Sequence, residues 1–167
     1  MYMDPAIYII GASVLCFAVL PLVFRSNAVL IFLMLAAGEL LARLLSQDAT
    51  QFARSLPSTS GMPIYSIVQI ALLLIAPVVI LFATKNSTKP SHLFFMLLPA
   101  VASALLCIML VTAKLPYETK ELVEKSSLYT SIEPFFSVAI AGGIVSSALY
   151  LIASHPKHKS HKKHPLS

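Results

Sequence analysis

Five apolar stretches, each about as long as a bilayer is thick, take up most of this chain of 167 residues. They cover residues 6–24, 28–45, 64–84, 92–113 and 135–154. Roughly 20 mainly apolar residues in a helix cross the ~30 Å hydrocarbon layer. Lipid offers no partner for a bare backbone N–H or C=O, so each stretch is expected to be a helix. The expected fold is therefore all-α, a polytopic bundle of five transmembrane helices. Residues 1–154 form the one domain, and residues 155–167 are a cationic tail rich in His and Lys. Charged residues make up only 11% of the chain, against about 25% in soluble domains. The longest links between spans, 46–63 and 114–134, are too short for a separate catalytic domain.

The charges sort by side. With the tail cytoplasmic, five spans place the N-terminus outside. The inner segments then hold Arg25, Lys85, Lys89, Lys157, Lys159, Lys162 and Lys163 and no acid, while the outer ones hold Arg54, Lys114, Lys120 and Lys125. Seven basic residues against four favour N-out, C-in by the positive-inside rule. The first span lacks a basic leader and a small-residue cleavage pattern, so it reads as a retained span rather than a signal peptide.

Arg25, Ser26 and Asn27 alone join spans 1 and 2, which forces an antiparallel hairpin. Pro21 should kink or end span 1. After span 2, Leu45, Ala49, Phe52, Ala53 and Leu56 share one helical face. That pattern suits an amphipathic helix at the outer interface, although packing within the bundle is equally compatible with it. A second short interfacial helix is expected near Glu121 and Lys125, spaced i, i+4, with Leu115, Leu122, Val123 and Tyr129 as surface anchors. Pro57, Gly61 and Pro63 mark a turn. Asn86-Ser87-Thr88 fits a glycosylation acceptor but falls on the inner side, where it has no use.

Chemistry-bearing patterns are sparse. The sequence holds no HExxH, no glycine-rich phosphate loop and no CxxC, and no Ser or Cys has a His at hand inside a span. No catalytic residue, cofactor or metal set is expected. Cys16 and Cys107 read as small packing residues. Glu39 and Arg43 are the charged residues within the spans. Such groups are costly in lipid and mark functional candidates. They are one turn apart, so an ion pair with Arg43 snorkelling to the headgroups is the plain reading. The sharper reading sets them in a polar cleft with Gln69 or Ser103, as part of a solute or proton path. Ala139, Gly143 and Ser147 form a stripe of small residues on span 5, suited to close helix packing within the chain or against another subunit. Lys157, Lys159, Lys162 and Lys163 are expected to touch anionic lipid. Nucleic acid binding has no support beyond the tail charge.

The layout resembles the colicin V production (CvpA) family of small bacterial inner-membrane proteins. The resemblance lies in a tight first hairpin, an amphipathic stretch after span 2, and spans 3 and 4. After them, Lys114-Leu115-Pro116 leads through Glu124-Lys125-Ser126-Ser127-Leu128 to Pro134, similar to that family's Ser-x-Leu element and proline. It covers about residues 5–136. The family's Asp-Arg-containing entry to its fourth span is replaced here by Ser91-His92-Leu93-Phe94-Phe95-Met96, and a fifth span follows. The resemblance implies an inner-membrane location and a role in envelope or secretion physiology, with no catalytic residue to carry over. The resulting expectation is a non-enzymatic scaffold or accessory subunit that self-associates or binds other membrane subunits. The alternative is a small oligomeric transporter or channel.

Overall fold

A computed structural model describes residues 5–53, 63–85 and 93–154. All regular structure among them is helical: α1 (Pro5–Val14), a π-helical turn (Leu15–Val19), α2 (Leu20–Val23), α3 (Ala28–Ala53), α4 (Ile64–Ala83), α5 (Leu93–Lys114), α6 (Tyr117–Glu124), α7 (Ser127–Ile132), a 3-10 turn (Glu133–Phe135) and α8 (Phe136–Ser154). Five helical runs are long and apolar enough to span a membrane: Ala6–Val23, Ala28–Gln51, Ile64–Ala83, Met96–Lys114 and Ser127–Ile152. The chain is thus all-α and of the multi-pass membrane class. The predicted lysine tail, the turn around residues 57–61 and the acceptor at Asn86 lie outside the described residues.

The hairpin between α2 and α3 closes as a Schellman motif. Ser26 N–H donates to Pro21 O at 2.9 Å and Arg25 N–H to Leu22 O at 3.3 Å. Such an ending needs a left-handed residue at the turn, and Arg25 takes that role with φ 49°. Asn27 then caps α3, its Oδ1 accepting from Val29 N–H at 3.2 Å and Leu30 N–H at 3.3 Å. Ser26 Oγ donates to Leu81 O at 2.8 Å, tying the hairpin to the end of α4.

α5 is the central helix. In its spanning window 67% is buried within the chain, against 17% for the window that contains α8. Its neighbours are α8, α3, the π turn and α1, while α4 packs mainly on α3. The core follows from this arrangement, with Ile31, Phe32 and Leu35 of α3, Leu73 of α4 and Ala102, Leu106 and Cys107 of α5 in one cluster.

Proline chemistry shapes two of the interfaces. Pro21 has no N–H, so the i to i−4 bond to Phe17 O cannot form. The strand of hydrogen bonds widens into the π turn just before it. Ser103 Oγ, on α5, lies 2.9 Å from Phe17 O and 2.8 Å from its own Ala100 O, sharing its proton between them. Pro77 likewise frees Leu73 O. That oxygen faces Gly38 on α3, where an added Cβ would come within 2.3 Å of it. Only glycine lets the two backbones meet this closely.

Two expectations are corrected. The stretch after span 2 does not form a separate interfacial helix. α3 continues through Ala53, because no Gly or Pro interrupts it before Pro57. Its buried face there is Ala42, Ser46 and Thr50, and Leu45 is 44% exposed. Lipid, unlike water, rewards leucine outside and small or hydroxyl residues inside. The second correction concerns the segment after α5. Leu115, Val123 and Tyr129 are buried against Ala6, Ile108 and Phe136 rather than facing the membrane surface, and of the four proposed anchors only Leu122 points outward. α6 and α7 therefore cap the bundle at the Lys114 end. The cap is ordered locally by Ser126 Oγ, which accepts from Tyr129 N–H at 3.2 Å.

Candidate functional site: an ion cluster between two spans

Glu39 sits on α3 with Gly38 beside it, so its backbone lies where α3 and α4 approach most closely. Its carboxylate turns toward α5. Oε1 accepts from Arg43 Nε at 2.7 Å and from Lys114 Nζ at 3.1 Å. The side chains of Glu39 and Lys114 are each 12% exposed, whereas that of Arg43 is 70% exposed. Arg43 is directed outward from the bundle, which fits snorkelling. Glu39 Oε2 is buried and has no hydrogen-bond partner. A carboxylate so placed is held by two cations through one oxygen, while its second oxygen is left bare in a dry setting, an expensive arrangement.

The other polar candidates are placed elsewhere. Gln69 Nε2 donates to Tyr65 Oη at 2.8 Å, one turn away on α4, and Ser46 Oγ of α3 lies 3.5 Å from the same Tyr65 oxygen. Ser103 is engaged with Phe17 O, 11 residues before Lys114, or about 16 Å along the α5 axis. Glu39 and Arg43 are thus brought together with Lys114, and not with Gln69 or Ser103. Sequence reasoning missed Lys114, because it follows the apolar stretch by one residue and reads as the start of a loop. The signal was present: a carboxylate within a span needs a counter-charge, and Lys114 is the basic residue at the C-terminal end of the central helix.

On α8, Gly143 meets Ala102 of α5 and Phe32 of α3, both 2.8 Å from where a Cβ would stand. Ser147 is also buried, and its Oγ has no partner. Ala139 is half-buried. Two residues of the small-residue stripe therefore pack inside the chain. A separate apolar groove of about 240 Å³ runs between α1 and α4 over α5, lined among others by Tyr8, Ser13, Cys16, Leu74 and Cys107. No group of three or more His, Cys, Asp or Glu side chains among the described residues is placed to hold a metal ion.

The class defined by these features is a multi-pass membrane protein of five apolar helices, with one interhelical ion cluster near one end. Compared with known proteins, the chain matches no family model, no curated protein and no solved structure.

Proposed function

We propose that this is a non-catalytic integral membrane protein that serves as a scaffold or accessory subunit of a membrane complex. The inner-membrane location and the envelope or secretion role implied by the CvpA-like layout belong to the same proposal. One observation supports it most. Three contacts between polar groups join different spans within the chain: Glu39 with Lys114, Ser46 with Tyr65 (itself bonded to Gln69), and Ser103 with Phe17 O. Groups used in this way fix helix register. The outward faces of α3 and α8, rich in Leu, Ile and Val, remain for lipid or a partner.

The transport reading rests on a different observation, the buried and unpartnered Oε2 of Glu39, since ionisable groups inside membranes recur along ion and proton routes. Gentle detergent extraction of the native protein, followed by mass spectrometry of what co-purifies, separates the two. The expected result is stoichiometric recovery of a different membrane protein. A clean homo-oligomer whose vesicles show flux abolished by Glu39→Gln overturns the scaffold reading.

A further inference from the structure

Among the described residues, one ion pair joins two different membrane-spanning helices, Glu39 of α3 to Lys114 of α5. The other three are i, i+4 pairs within a helix. Lys114 is the last residue of α5. The next residue, Leu115, is already part of the apolar cluster that seats α6 and α7 on α1. The pair therefore lies at the joint between bundle and cap.

The surroundings of Glu39 give it no substitute. On its own helix it has Arg43, which is largely exposed. From α4 the polar groups at this end are Tyr65 and Gln69, bonded to each other, and the uncharged Ser66, and from α5 there is the uncharged Thr112. α8 carries no charged residue between Phe136 and Ser154, and α1 carries none between Pro5 and Val14. From α5 the charged group is Lys114.

We propose that the Glu39–Lys114 pair is a latch. The pair holds the end of α5, and with it the α6–α7 cap, against α3. When the Glu39 carboxylate is removed by substitution, the Lys114 ammonium is left in a mostly buried site without its partner, which is strongly unfavourable. It swings out to water, and α6 lifts from α1. This device does not depend on whether the protein is a scaffold or a transporter.

The test is amide hydrogen exchange on the full chain in lipid nanodiscs, read in α6 and compared with the middle of α5 and α8. Glu39→Gln and Lys114→Met should each speed exchange in α6 by roughly 5–30-fold, the range that one or two kcal/mol of lost local stability gives. The α5 and α8 interiors should stay at wild-type rates. Arg43→Gln, which removes the partner on Glu39's own helix, should leave α6 unchanged. The double variant Glu39→Gln/Lys114→Met strands no charge, so its α6 should return toward wild-type protection, which also keeps the experiment readable where a single variant misfolds. Wild-type protection of α6 in Glu39→Gln and Lys114→Met, or a double variant whose α6 exchanges faster than either single variant, overturns the latch. So does an increase spread evenly over α5, α6 and α8, or one that Arg43→Gln reproduces.

Discussion

At the scale of single residues, close packing of backbones separates the roles of two glycines. A Cβ on Gly38 would stand 2.3 Å from Leu73 O, a backbone atom, whereas one on Gly143 would stand 2.8 Å from Ala102 Cβ and the Phe32 ring. The Phe32 ring can rotate away, whereas a helix backbone cannot, nor can the Cβ of Ala102 that is fixed to one. Both alanine variants should lower the melting temperature in detergent, with Gly38→Ala the worse; each costs about 1–3 kcal/mol as overpacking. Equal melting of Gly38→Ala and wild type would mean that α4 is free to slide. Arg25 gives the opposite prediction. It holds φ 49°, a conformation that costs an L-residue ~1–2 kcal/mol and glycine little. Arg25→Gly should therefore raise stability by up to about 1 kcal/mol in thermal unfolding. The packing role of Gly143 was legible in the sequence, because the four-residue spacing of small residues announces itself. That of Gly38 was not, since its partner is a carbonyl freed by Pro77 on another helix and depends on the α3–α4 register.

At the scale of elements, span 1 and α5 are coupled through the Ser103 hydroxyl, beside a longer Ser13 Oγ–Cys107 Sγ contact of 3.7 Å. Pro21 denies Phe17 O its helical donor, and Ser103 supplies one. Ser103→Ala should cost about 1–2 kcal/mol, the usual range for stranding a buried acceptor. In a Pro21→Ala background, residue 21 regains an N–H, and the same Ser103→Ala change should cost markedly less. Thermal denaturation of the four proteins in a double-mutant cycle reads this coupling; strict additivity would show that Ser103 acts only through its own Ala100 O. The five spans were readable because length and apolarity suffice to find them. The π turn was not, because a proline signals a kink without saying how the lost bond is repaired. The length of α3 was misjudged for a related reason. The amphipathic pattern grouped Leu45 with Ala49 and Phe52 on one face of a separate interfacial helix, whereas the structure continues α3 and buries Ser46 and Thr50.

At the scale of the whole molecule, the question is which end faces the cytoplasm. The described residues alone do not decide it: Arg25 and Lys85 stand at one end, Lys114, Lys120 and Lys125 at the other. The bias of seven basic residues against four depends on Lys89 and on Lys157, Lys159, Lys162 and Lys163. Since orientation follows Lys and Arg near span ends, the tail carries the decision. Replacing its four lysines with Gln changes seven against four to three against four. The check uses single cysteines at Lys85 and Lys120 in a Cys16→Ala/Cys107→Ala background, probed in whole cells with a membrane-impermeant maleimide. With the tail intact, Lys120→Cys should label in whole cells and Lys85→Cys only after permeabilisation. Without the tail lysines, both positions should label in part, as the population splits between two orientations. If labelling stays one-sided in the tail variant, orientation is set elsewhere in the chain. The first hairpin, with Arg25 as the single charge of its link, would then be the segment to alter, because orientation follows the Lys and Arg residues at span ends.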